Sequence, residues 1–299
     1  MVRIPGRVSI VEVGPRDGLQ NEQSLITTAD KITFIDQLTA AGHRVIEVAA
    51  FVSPKWVPQM ADASEVLAGI TRRDGMRYTA LVPNRAGLTR AMAAGVTEVA
   101  IFAAASETFS QRNLNQSIEA SLVTYADVCR EALAAGLRVR GYLSTCFGCP
   151  YEGAVAPTQV AAIARRLFDL GVFEIAISDT IGVAHPGQVP QVLDAVAASV
   201  PLAQVALHFH DTRGTALANV LAGLDYGVTT FDSAAGGLGG CPFAPGAAGN
   251  LATEDLLYML NGLGAETGVD LSRVATASQF IQTCLGHRLP SRYLQSMPS

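Results

Sequence analysis

Eight short, apolar, β-branched runs recur along the chain, at about residues 8 to 13, 44 to 51, 76 to 82, 97 to 103, 138 to 144, 173 to 178, 204 to 210 and 229 to 233. Between and after them lie stretches of helical spacing, at 28 to 41, 64 to 72, 86 to 94, 118 to 135, 159 to 170, 189 to 199, 215 to 226 and 253 to 263. Gly42, Gly95, Gly136, Gly171, Gly227 and Gly264 stand where helices of this set should stop. Strands joined by helical crossovers run parallel, and eight of them can close without leaving an edge. The alternation predicts an α/β fold, a (β/α)8 TIM barrel over residues 1–270. A C-terminal helical extension, 271–299, follows, with a helix from Arg273 to Leu285 packed on the barrel. The competing architecture is an open doubly wound sheet. Against it, the first run leads into Gly14-Pro15-Arg16-Asp17-Gly18 and not into GxGxxG.

Composition supports a large core: 49% of the 299 residues are hydrophobic and 16% charged. The net charge of −5 comes with no cluster of Lys and Arg that would track a phosphate backbone, so no nucleic-acid partner is expected. No apolar stretch reaches bilayer-spanning length, so no membrane partner is expected either. Five cysteines, an odd number, and no secretory leader point to a cytoplasmic protein without a disulfide framework. Cys146-Phe147-Gly148-Cys149 has the spacing of a zinc or redox motif, but no second CxxC accompanies it. Cys129 and Cys284 fall in helical patterns and read as inert thiols. His43, after Gly42, reads as a surface or capping histidine, as does His287 in the tail.

The seventh run ends Ala206-Leu207-His208-Phe209-His210-Asp211. Alternate side chains of a strand share a face, so His208 and His210 can converge on one point at the strand's C-terminal end. That end builds the active site in parallel α/β proteins. The ends of the first, second, sixth and eighth runs bring Asp17, Glu47, Asp179 and Asp232 to the same barrel mouth. Two imidazoles with several oxygens suit a divalent cation, Mg2+ or Mn2+. A glycine-rich stretch, Gly236 to Gly249, carries one thiol, Cys241, and reads as an active-site lid. A phosphate-cradling loop or a plain connector would share that richness in glycine.

Longer motifs carry a resemblance. Val13 to Glu22, Phe51 to Met60, Gly148 to Gly153, Asp179 to Val183, His208 to Thr212, Gly236 to Pro242 and Gly249 to Leu256 resemble 3-hydroxy-3-methylglutaryl-CoA lyases, the likeness running from about Val8 to Gly268. What this implies is metal-dependent cleavage of a 3-hydroxyacyl-CoA substrate into acetyl-CoA and a ketone-bearing acid, acetoacetate in the case that names the family. The implied metal ligands are Asp17, His208, His210 and Asn250. Arg16, Glu47, Asp179 and Cys241 match other active-site positions of the family. Arg16, permanently charged and forked, suits the oxygen of a thioester enolate. Cys241 and His208 are the candidates for proton transfer, and Glu47 and Asp179 for orienting Arg16, a histidine or water, with Asp179 also a candidate base. A homodimer is expected because related barrels often associate.

The chain departs from the family pattern at Gln23, Ala49, Ala50, Ala176 and Arg213, which implies weaker contact with CoA phosphates and an altered pocket for the acyl carboxylate. Citramalyl-CoA and longer isoprenoid homologues therefore stand beside 3-hydroxy-3-methylglutaryl-CoA as substrates. A condensing acyltransferase on the same barrel would be expected to carry more than the short tail from Leu271 to Ser299. A non-catalytic metal-binding protein would not need Arg16 and a loop thiol beside its ligands.

Overall fold

The computed structural model describes residues 3–239 and 249–297. Its strands are β1 (Ser9–Glu12), β2 (Val45–Ala50), β3 (Arg77–Leu81), β4 (Glu98–Ala104), β5 (Arg138–Ser144), β6 (Glu174–Asp179), β7 (Val205–Phe209) and β8 (Thr230–Ser233). Each pairs in parallel with the next, and β8 returns to β1 with Val11 opposite Asp232, so the sheet is a closed barrel. Strands covered on both faces read as unbroken apolar runs, which is why β6 and β7 lack polar alternation until their last residues.

The helices are α1 (Thr28–Ala40), α2 (Ala63–Gly69), α3 (Arg85–Ala93), α4 (Glu107–Leu114), α5 (Ile118–Ala134), α6 (Pro157–Asp169), α7 (Gln188–Ala197), α8 (Ala216–Tyr226), α9 (Thr253–Gly262), α10 (Leu271–Leu285) and α11 (Arg292–Ser296). Thr27, Asn84, Ser117 and Asp270 cap α1, α3, α5 and α10 by accepting backbone N–H groups. All six predicted stop glycines have positive φ. Helix α4 was not predicted: it is short and polar, and only Phe109 and Ser110 on it are buried. Among the described residues no helix is long and apolar enough to cross a membrane.

The helix of the extension, α10, begins at Leu271, two residues before the expected Arg273, and ends at the expected Leu285. It is tied to α1 by Asp270 N–H to Ala41 O and by Arg273 Nη1 to Ala40 O, each 2.8 Å. Ser278 donates to the buried Glu254, joining α10 to α9.

The reading of His43 as a surface or capping residue is corrected, since it is wholly buried. Its Nε2 lies 3.6 Å from Glu12, and neither ring nitrogen has a hydrogen-bond partner among the described residues. Burial pushes the imidazole down from 6.5 to about 3, and pushes the Glu12 carboxyl up from 4.5 to about 8. The unfolded chain thus takes up a proton at His43 first, so that group's contribution to stability is present above pH 6.5 and is lost as pH falls toward 3. Glu12, protonated first in the folded state, acts in the opposite sense between 4.5 and 8. Comparison with a His43→Leu variant isolates the histidine. Relative to that variant, the parent is expected to lose up to about 1.4 kcal/mol per pH unit below 6.5, read from denaturation midpoints. A stability difference that stays constant with pH would contradict this.

Candidate active site

Directly after β1 the chain makes a π-helical turn, Gly14–Gly18, in which Val13 O accepts the N–H groups of Arg16, Asp17 and Gly18 at 3.2, 2.8 and 3.2 Å. Single π turns of this kind occur often at functional sites. This one aims the neighbouring Arg16 and Asp17 side chains into the barrel mouth. Gly18 is required there, because a Cβ would sit 2.6 Å from Leu238 Cβ. Gly239, at φ +93°, is required likewise, since its Cβ would sit 2.8 Å from Asn250 Nδ2.

Four predicted ligands come together. Potential ligand atoms of Asp17, His208 and His210 lie within 4.8 Å of one another. Asn250 pairs with His210 as an isolated bridge, and its Nδ2 donates to Asp17 Oδ2 at 2.9 Å and to Leu238 O at 3.0 Å. With both amide protons engaged, Asn250 Oδ1 is buried without a partner among the described residues, and so is His210 Nδ1. Orphaned buried acceptors around a carboxylate are costly unless something cationic meets them, so this set fits a divalent cation. Burial, with His208 nearby, pushes His210 down to about 3 and keeps it neutral, as a ligand must be. Burial would raise the Asp17 carboxyl, but Arg16 and the two histidines outweigh it and hold Asp17 near 2.

Arg16 joins this cluster to the barrel interior. Its Nε donates to Glu47 Oε2 at 2.5 Å and its Nη1 to Asp17 Oδ1 at 2.7 Å. Glu47 sits in β2 where the register with β3 shifts, a bulge of the type found beside active sites. It is fully buried, which pushes its carboxyl up against the pull of Arg16. The Arg16 guanidinium also lies 5.5 Å from the centre of the Tyr142 ring, and Arg140 lies 4.9 Å from the same ring. Arg140 grips Asp232 with two bonds of 2.8 and 3.1 Å, and Asp232 Oδ2 meets His208 Nδ1 at 3.2 Å. Burial disfavours a charged His208, yet its bond to Asp232 prevails and its pKa is raised. Asp232 thereby orients a ligand from behind.

The remaining expectations fare differently. Asp179 engages both its carboxylate oxygens with Val183 and Ala184 N–H, at 3.0 and 2.9 Å, and so fixes the loop after β6 rather than bonding Arg16. Arg213 is not at the acyl pocket: its Nη1 ties the carbonyls of Ile181 and Gly182. Cys146 and Cys149 are buried and do not line the cavity. Cys241 lies outside the described residues.

The cavity, about 270 Å3, is lined by Arg16, Asp17, His208, His210 and Asn250. Ser144, Ser178 and Thr180 give a hydroxyl-bearing wall, and Leu81, Phe102 and Phe109 an apolar one. The sequence reading passed over Arg140, Tyr142 and Ser144. The signal was present as polar residues at every second position of β5, inside an otherwise apolar run.

The HMGL-like family model matches residues 7–281. A mitochondrial hydroxymethylglutaryl-CoA lyase of Rattus norvegicus is 53% identical over 99% of this chain and 91% of its own. A Pseudomonas aeruginosa protein named as a 3-hydroxy-3-isohexenylglutaryl-CoA/hydroxy-methylglutaryl-CoA lyase is 52% identical over 99% of each chain. The structure of an HMG-CoA lyase from Acinetobacter baumannii, in complex with coenzyme A and 3-methylmalate, superposes with a TM-score of 0.93 at 38% identity, covering 97% of this chain and 95% of that one. The rat relative and its mouse and cattle counterparts are mitochondrial by name, which overturns the cytoplasmic expectation.

Proposed function

The chain belongs to the HMGL-like family, and from that premise we propose that it is a carbon-carbon lyase that cleaves 3-hydroxy-3-methylglutaryl-CoA to acetyl-CoA and acetoacetate. The observation that carries this is the placing of Arg16 against Asp17, one of four ligand-type side chains at the mouth of a single cavity. Asp17, His208, His210 and Asn250 would hold the cation, and Mg2+ or Mn2+ suits their mixture of oxygen and imidazole donors. When bound, such a cation lowers the pKa of a coordinated hydroxyl and fixes its orientation.

The reaction removes the proton of the tertiary hydroxyl and breaks the bond between C2 and C3. The electron pair passes to the acetyl thioester as an enolate, and a proton then returns to C2. Arg16 meets the enolate oxygen with a charge that Glu47, Asp17 and the Tyr142 face hold in place before the reaction begins. His208, backed by Asp232 and Arg140, and Cys241 are the groups proposed to move the two protons. The acyl group occupies the catalytic cavity. The CoA chain leaves along an adjoining cleft that shares Asn21 and Gly239 with it and is lined by Gln23, His287 and Arg288. A domain division at residue 270 and a homodimer in solution belong to the same proposal.

One observation favours a second reading, a longer 3-alkyl branch on the substrate: the apolar side chains of Leu81, Phe102 and Phe109 line the same cavity as the ligand-type residues. The test is an acetyl-CoA release assay with and without Mg2+ or Mn2+, offering 3-hydroxy-3-methylglutaryl-CoA, citramalyl-CoA and 3-hydroxy-3-isohexenylglutaryl-CoA side by side. Cation-dependent cleavage is expected to be fastest with the first. A higher kcat/KM for either of the others would move the substrate assignment and leave the bond chemistry as it is.

A further inference from the structure

Thr145, the residue after β5, is wholly buried and has a φ of +61°. Among the described residues the only other non-glycine with positive φ is Asn115, at +54°, and asparagine tolerates that region through its short polar side chain. A β-branched residue does not, so the surroundings must hold Thr145 there. They do so with three bonds. Its Oγ1 donates to the preceding carbonyl, Ser144 O, at 2.7 Å. Its N–H donates to Thr180 Oγ1 at 2.9 Å. The next N–H, of Cys146, reaches Ser178 O at 3.0 Å.

The consequence lies in the cavity. The turn at Thr145 stitches the end of β5 to the end of β6, and Ser144, Ser178 and Thr180, all on the cavity wall, belong to the stitched segments. Thr180 Oγ1 already accepts from Thr145, which leaves its own proton to donate, and Ser144 Oγ has no hydrogen bond among the described residues. Ser178 Oγ, by contrast, donates to Ala176 O.

We propose that Thr145 is a positioning residue whose left-handed backbone holds the Ser144 and Thr180 hydroxyls as paired donors to the free carboxylate of the acyl group. This rests on the lyase reading, in which the substrate carries such a carboxylate. Strain relieved anywhere else in a barrel would simply stabilise it. Here relief by a residue that abandons the turn costs substrate recognition, because the Thr145 N–H no longer orients Thr180.

The test is a double-mutant cycle on 3-hydroxy-3-methylglutaryl-CoA cleavage with a melting curve for each variant. Thr145→Val keeps the shape but loses the Oγ1 bond to Ser144 O that helps to hold the left-handed conformation, and Thr180→Val removes one donor. Each is expected to raise KM about tenfold with little change in kcat, the loss typical of one hydrogen bond to a charged group. The double variant is expected to show about the same tenfold loss, because both changes break one arrangement. Thr145→Gly, which accepts the left-handed conformation freely, is expected to melt a few degrees above the parent and to recover most of the KM lost in Thr145→Val.

An unchanged KM in Thr145→Val, a roughly hundredfold KM in the double variant, or a lowered melting temperature in Thr145→Gly would each overturn the proposal. Should Thr145→Val fail to fold, the glycine variant's melting temperature and KM decide. A parent that cleaves no 3-hydroxyacyl-CoA would bring down the lyase reading and the carboxylate assignment together. A parent that cleaves it with Thr145→Val at unchanged KM would remove this proposal alone.

Discussion

Asp17→Asn is expected to abolish cation-dependent turnover, with kcat at least about a thousandfold below the parent and Mn2+ affinity reduced by a comparable factor. The reason is charge. Asp17 is the one anion in a set whose other members are two imidazoles and an amide, and its carboxyl is held near 2, so it carries its charge at neutral pH. Asparagine keeps the shape and removes that charge. The change also strips Arg16 of one of its two carboxylate partners, leaving the guanidinium with Glu47 alone beside the ligand-type side chains. Asn250→Ala removes a neutral donor and the amide that orients Asp17, so a smaller loss, about ten- to a hundredfold, is expected there. Mn2+ binding followed by electron paramagnetic resonance, beside kcat, checks both without relying on turnover alone. Near-parental turnover in Asp17→Asn would remove the metal assignment.

The contrast between Asp17 and Asn250 shows what could be read in the chain before its fold was known. His208 and His210 are two residues apart on one strand, and Asp17 sits beside a Gly-Pro turn at another strand's end, so periodicity and the barrel rule bring them to one mouth. Asn250 pairs with His210 from beyond β8, across a stretch whose length carries no local signal; only the resemblance pointed to it. The barrel itself was legible because eight strands and their stop glycines repeat a local pattern. What escaped was decided over distance. His43 follows a helix stop as surface residues do, but its ring is turned inward to within 3.6 Å of Glu12 of β1 and is wholly buried. Arg140 went unremarked because its partner is distant in sequence: the Asp232 of β8 that it grips lies 92 residues away. Arg213 was misplaced for the opposite reason: a cation after a ligand motif suggests a substrate anion, while the loop carbonyls of Ile181 and Gly182 take it first.

Arg16→Lys is the second large effect, with kcat expected to fall about a thousandfold while KM moves by less than about threefold. A lysine keeps the charge. It cannot keep the geometry, because the guanidinium meets Glu47 through Nε and Asp17 through Nη1, two donors fixed in one plane. An ammonium group can serve one of these carboxylates well, and wherever it settles it leaves the position from which Arg16 is proposed to stabilise the enolate oxygen. Since that oxygen gains its charge only as the bond breaks, kcat and kcat/KM should fall together. Arg16→Met goes further and leaves Glu47 buried without its partner, so a stability loss of about 3–5 kcal/mol is expected. Adding Glu47→Gln to Arg16→Met neutralises the stranded carboxylate and should recover part of that stability with no gain in turnover. The separation matters: a merely structural Arg16 would regain activity with stability. Thermal melts and steady-state kinetics on the single and double variants decide the point, and an Arg16→Lys enzyme within about tenfold of the parental kcat would show that charge alone suffices.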